Sequence, residues 1–90
     1  MTENTRQAAS ADETIAATRA RIDEVDRRII ELVAERVALS QEVQRTRIAA
    51  GGRRVQLTRE MEVIGRYREA WGTPGREVAM ALLELGRGRV

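Results

Sequence analysis

The chain contains no histidine, no cysteine, no lysine and no phenylalanine, a single proline, and only two aromatic residues, Tyr67 and Trp71. Each absence excludes a chemistry. Without His or Cys there is no zinc site built from the usual ligands, no Cys nucleophile, no His general base and no disulfide framework. Without Lys, Schiff-base catalysis and a Walker-type phosphate lysine are excluded as well. Long apolar runs are also lacking, and the first 14 residues, MTENTRQAASADET, are polar, so there is neither a membrane span nor a signal-peptide core. These features predict one small cytoplasmic domain.

What the 90 residues do have is charge: 16 cations, every one an arginine, against 14 acidic residues, a net charge of +2. The first 44 residues carry 6 arginines and 9 acids, the remaining 46 carry 10 arginines and 5 acids. A pI near 10.3 raises nucleic-acid binding as an alternative function, that of an Arg-rich helical dimer acting as a binding or regulatory module. Single-strand and RNA readers, however, usually stack bases on aromatic platforms, and two aromatics make a poor one. Solvated helix faces that pair locally with Glu are the simplest account of any single arginine.

The apolar residues follow a helical period. Ser10 and Glu13 fit a capping box ahead of Ile15, which sets the expected start of a first helix at residues 11 to 13 and leaves residues 1–10 as a flexible tail. From there Ile15, Ile22, Ile29, Arg36 and Val43 recur every seven residues, and Thr18, Val25, Leu32, Leu39 and Thr46 form a second row offset by three. This is an a/d seam. Nothing breaks it before Gly51-Gly52, so the first helix is expected over about 12–50, roughly 58 Å long at 1.5 Å per residue. A compact chain of this size has a radius of gyration of only about 12 Å. An obligate oligomer follows, most simply a two-fold dimer in which the long helices pack along each other.

After the Gly51-Gly52-Arg53-Arg54 break, Leu57, Met61, Ile64, Tyr67 and Trp71 start a second period, with Thr58 as N-cap and a helix over 58–71. Gly72-Thr73-Pro74-Gly75 reads as a stop followed by a start, giving a third helix over 74–86, with Thr73 as its cap. Met61, Tyr67 and Trp71 are expected in the core. The glycines flanking Arg87 lower helix propensity and leave Arg87 and Arg89 of a basic tail, residues 87–90, free for an outside surface. Gly86, Arg87, Gly88 and Arg89 are therefore candidates for a partner-binding or regulatory segment. The expected fold class is all-α, with three helices per subunit, one very long.

Arg36 sits at an a position, where a charge needs a partner or costs stability. Arg47 lies 11 residues on, three turns plus about 20°, so both guanidinium groups project from one face and could close on one small anion. Arg19 precedes Arg36 by 17 residues, about 100° around the helix and about 25 Å away, so it could serve such a pocket only from a partner subunit. Arg59 and Glu60 open the second helix, where the chain has turned back toward the same stretch. Each has a plainer alternative. An Arg at an a position can be a register device, Arg19 and Arg47 can be solvated, and the helix dipole favours Glu60 in a first turn without any ligand.

Taken together, TRARIDEVDRRIIELVAER (18–36), the stretch to Arg47, TREM (58–61) and LGRGR (85–89) resemble the all-helical (AroQ-type) chorismate mutases, and among them the short actinobacterial delta subclass. The most specific part is Arg19 followed by Ile22, Asp23, Val25 and Asp26, with Glu35-Arg36 closing the segment. The resemblance implies an intertwined helical homodimer with two active sites that converts chorismate to prephenate, in phenylalanine and tyrosine biosynthesis, with no cofactor and no metal. It implies that Arg19 reaches into the partner's site to bind one substrate carboxylate and Arg36 binds the other. Arg47 would stand beside the ether oxygen, Glu60 would accept from the ring hydroxyl, and Arg59 would line the site. Gln56 falls where some members have Asp for the second hydroxyl. One departure is that the Gln which a longer third helix supplies to the ether oxygen is missing, since the matching stretch is Gly86-Arg87-Gly88-Arg89-Val90. The delta subclass also implies a weak catalyst that is activated by DAHP synthase, the first enzyme of the shikimate pathway.

The composition suits such a reaction. A pericyclic rearrangement of a dianion needs no nucleophile, proton transfer or metal, only a folded conformer and positive charge near the oxygen whose C–O bond breaks. Arginine donates bidentately to carboxylates and does not lose its proton near neutral pH.

Overall fold

A computed structural model describes residues 2–52 and 56–87. They form three helices, α1 (Thr2–Ala49), α2 (Leu57–Trp71) and α3 (Thr73–Gly86), with no strand among the described residues. The all-α, three-helix expectation holds. The chain divides into two compact units, Met1–Leu32 and Val33–Val90.

The first unit contains only α1. The helix begins at Thr2 and not at residues 11 to 13, which corrects the expectation of a flexible tail. Residues 2–10 contain no Gly or Pro, and Glu3, Arg6, Gln7, Ala8 and Ala9 among them are good helix formers, so no breaker stops the helix. Ser10 is accordingly not a cap: its carbonyl accepts a bond from Thr14 Oγ1 at 2.9 Å, the back-bond of a hydroxyl inside a helix. Ile15, Ile22, Val25 and Ile29 stand 47–52% exposed, so the apolar seam of this unit lies bare on the single chain.

In the second unit α1 ends on a paired glycine motif. Gly51, at φ 85°, donates to Ile48 O at 2.9 Å, and Gly52 donates to Arg47 O at 2.7 Å. This is the Schellman closure, which needs a left-handed residue at the first position after the cap and so selects Gly. The neighbouring Arg53 and Arg54 lie outside the described residues.

α2 and α3 form a hairpin joined by Gly72 alone, at φ 69° and ψ −146°. Gly72, not Thr73, is the N-cap of α3, and Pro74 sits in the first turn, where a missing N–H costs nothing. The hairpin is tight at its base, because an added Cβ on Gly75 would lie 2.0 Å from the Tyr67 carbonyl oxygen. Gly75, Ala79, Leu82 and Gly86 make the buried stripe of α3, and with Val63 of α2 they form the small core. Met61 and Trp71 are 67% and 63% exposed, which corrects their expected place in the core. The hairpin is too thin to cover both faces of α2.

Candidate active site

The half-buried residues of α1 in the second unit are Val33, Arg36, Val37, Ser40, Gln41, Gln44 and Arg47. Their spacing of three and four marks one helical face, and its cavity side is polar. The a/d residues Leu39 and Val43 remain 55% and 51% exposed. Arg36 is therefore not a lone charge stranded in an apolar seam; it belongs to a polar row that Gly86, at the end of α3, approaches closely.

That row forms one wall of a cavity of about 300 Å³, at the lower end of the range for small-molecule sites. Arg36, Ser40, Gln44 and Arg47 come from α1, Gln56, Arg59 and Glu60 from the start of α2, and Gly86 and Arg87 from the end of α3, with Leu39 and Val43 of α1, Val63 and Leu83 supplying apolar surface. Five of the six residues expected to bind or transform a ligand thus converge: Arg36, Arg47, Gln56, Arg59 and Glu60. Arg19, the sixth, is exposed in the first unit and is not among the cavity's lining residues.

Local structure explains how each side chain is presented. Arg47 stands in the last turn of α1, four residues before the first Schellman glycine, Gly51, where the helix dipole favours a cation. Gly52 returns so closely over it that an added Cβ would sit 2.5 Å from Arg47 Cγ. Gln56, rather than Thr58, occupies the N-cap position of α2, and its side chain makes no capping bond. Its carbonyl accepts from the Glu60 N–H at 3.0 Å, fixing the turn that carries both residues. Arg59 pairs with Glu62 at 3.5 Å on an exposed face, a weak restraint.

The end of α3 differs from expectation. Arg87 is not free for an outside surface: its Nη2 donates to Glu60 Oε1 at 2.5 Å, and the two side chains are only 27% and 16% exposed. Its backbone N–H bonds to Leu83 O at 3.1 Å and Glu84 O at 3.2 Å, continuing the helix into a cap. Gly86 acts here as a close-approach residue. Its absent Cβ leaves room for Ser40, and its carbonyl accepts from Gln44 Nε2 at 3.2 Å. Gly88 and Arg89 lie outside the described residues. Ser40 and Gln44 were missed by the sequence reading, although they stand four and eight residues after Arg36 on the face that also bears Arg47.

Four guanidinium groups and one carboxylate therefore line a single cavity, an arrangement made for a small polyanion that also offers a hydroxyl. Among the described residues no cluster of acidic side chains could hold a metal ion, and no helix is long and apolar enough to cross a membrane. Fold and site together define an all-helical protein with an arginine-lined cavity suited to a small polyanion.

Residues 18–83 match the family described as chorismate mutase type II. The intracellular chorismate mutase of Mycolicibacterium smegmatis is 46% identical over 72 residues, spanning 80% of this chain and 69% of that protein. That of Mycobacterium tuberculosis is 43% identical over 76 residues, spanning 84% and 71%. Among solved structures, a non-covalent complex of DAHP synthase and chorismate mutase from Corynebacterium glutamicum, with bound transition state analog, contains a similar chain. It superposes with a TM-score of 0.84 at 38% identity, covering 89% of this chain and 96% of that one. The chain belongs to the type II chorismate mutases, and its activity is the isomerisation of chorismate to prephenate. None of these relatives supports the alternative of a nucleic-acid-binding module.

Proposed function

We propose that residues 11–90 form the catalytic domain, that the arginine-lined cavity is where chorismate rearranges, and that the protein works as a homodimer. The carrying observation is the convergence of Arg36, Arg47, Arg59 and Glu60, from two helices, on one cavity. Arg36 holds one substrate carboxylate bidentately. Arg47 donates to the ether oxygen, which gains negative charge as its C–O bond breaks, so its contribution grows on the way to the transition state. Glu60 accepts from the ring hydroxyl, Arg59 lines the carboxylate side, and Gln56 is near enough to meet a second hydroxyl. Arg19 of a second copy supplies the remaining carboxylate contact; the bare seam of Ile15, Ile22, Val25 and Ile29 supports such a copy. No nucleophile, cofactor or metal takes part in the bond changes.

The relatives' intracellular naming supports a cytoplasmic location. The Corynebacterium complex supports a DAHP synthase as partner, and the segment Gly86, Arg87, Gly88 and Arg89 is the place for its effect, since Gly86 and Arg87 border the cavity. A protein that grips the end of α3 shifts the site toward its competent arrangement by no more than its differential affinity for the two states. The test is the loss of chorismate absorbance with and without DAHP synthase. The Arg47→Ala variant should lose about 3 kcal/mol or more of transition-state stabilisation, a hundredfold or greater fall in kcat. Near-normal turnover would remove Arg47 from this role.

A further inference from the structure

We propose that Arg87 is a positioning residue for Glu60: it holds one oxygen of that carboxylate so that the other faces the substrate hydroxyl. The inference rests on the role given to Glu60 above and adds a residue that acts through it. Arg87 Nη2 bonds only Oε1 of Glu60, leaving Oε2 without a protein partner among the hydrogen bonds of the described residues. A carboxylate fixed at one oxygen by a charge-assisted bond cannot swing about its last torsion, which fixes where the second oxygen points.

Two further observations indicate that this pose serves the site. The Nε of Arg87 is shut off from solvent with no hydrogen-bond partner among the described residues. A purely structural ion pair would be expected to satisfy its donors, whereas this arginine gives up one N–H to reach Glu60. The backbone beneath it is also clamped. Gln44 Nε2 donates to Gly86 O, and a Cβ on Gly86 would lie 3.1 Å from Ser40 Cβ, so α3 is seated directly on the α1 wall one residue before Arg87. Clamp, arginine and carboxylate form a chain from α1 through the end of α3 to the start of α2. The remaining cations of the cavity, Arg36 and Arg47 on α1 and Arg59 on α2, make no hydrogen bond or ion pair to Glu60 among the described residues.

The experiment compares Arg87→Ala, Arg87→Lys, Glu60→Gln and the Arg87→Ala/Glu60→Gln double variant, each checked for helical content and thermal midpoint. Chorismate turnover is measured, together with binding of two dicarboxylate transition-state analogues, one bearing the ring hydroxyl and one lacking it. Arg87→Ala should lower kcat/KM by about tenfold or more, as expected for losing a hydrogen bond to a charged group. Arg87→Lys should recover part of that loss. The Arg87→Ala penalty should be large for the hydroxylated analogue and nearly vanish for the other, and it should shrink in the Glu60→Gln background. An equal penalty for both analogues, an unchanged kcat/KM, or a rise in activity, which would make Arg87 a plug on Glu60, overturns the inference. If Glu60→Gln is itself harmless, the role of Glu60 fails first; if Glu60→Gln is damaging and Arg87→Ala is not, only the positioning role fails.

Discussion

At the scale of single residues, what could be read from the sequence was the charge that must meet a ligand. Arg36 and Arg47 share a helical face by spacing alone, and Arg59-Glu60 follow the turn that brings the chain back, so all four line one cavity. Ser40 and Gln44 escaped because neutral polar residues on a long helix carry no signal of their own. Arg87 was misread because glycine has two uses. Around Arg87 the sequence suggests glycines as a source of freedom, whereas Gly86 permits close approach to Ser40. Gly52 has the same second use, and a prediction follows from it. A Cβ there would meet Arg47 Cγ at 2.5 Å and Arg47 O at 3.1 Å, so Gly52→Ala must displace the side chain proposed to stand beside the ether oxygen. A misplacement of that order costs roughly ten- to a hundredfold in rate. The expected outcome is a fall in kcat well beyond what the change in thermal midpoint explains, and kinetics together with a melt of the same preparation decide it.

At the scale of elements, the period of the apolar residues located all three helices, because 3.6-residue periodicity and Gly or Pro breaks are local properties of the chain. The ends were harder to read. A capping box at Ser10 and Glu13 is overridden when no Gly or Pro precedes it to stop the helix, and α1 runs through it to Thr2. How closely α2 and α3 approach is a tertiary property, and the local signal at Gly75 marks only a turn, not a close contact with α2. Gly75 and Gly65 test this distinction. A Cβ on Gly75 would lie 2.0 Å from the Tyr67 backbone oxygen, while one on Gly65 meets nothing within 4 Å. Gly75→Ala should therefore destabilise by about 2 kcal/mol or more and lower the thermal midpoint by roughly 10 °C, since backbone cannot move aside as a side-chain tip can. Gly65→Ala, in an exposed helix interior, should stabilise by about 0.5–1 kcal/mol. Equal midpoints for the two variants would show that the hairpin is not seated on Gly75.

At the scale of the whole molecule, Val63 and Leu82 are the only large apolar side chains buried among the described residues, while Ile22, Ile29, Leu32 and Leu39 stay half exposed or more and Ile15 is 47% exposed. A chain this size with so little covered surface is marginal alone. The heptad rows already implied as much, because a helix far longer than its domain has to be covered by something else. What periodicity could not reveal is which residues a second copy contributes, and Arg19, exposed and not among its own chain's cavity-lining residues, is the one proposed. The proposal predicts complementation. Arg19→Ala and Arg47→Ala subunits, each inactive as a homodimer, should regain activity when unfolded together and refolded. Each mixed dimer then has one site that draws Arg47 from the first variant and Arg19 from the second, and one site that lacks both. Random pairing of equal amounts makes half the dimers mixed, so about a quarter of the original sites should work. Stability should rise with protein concentration if, as proposed, the dimer is the folded species. Refolded mixtures that stay inactive, while each homodimer keeps its helical content, would place Arg19 outside the site.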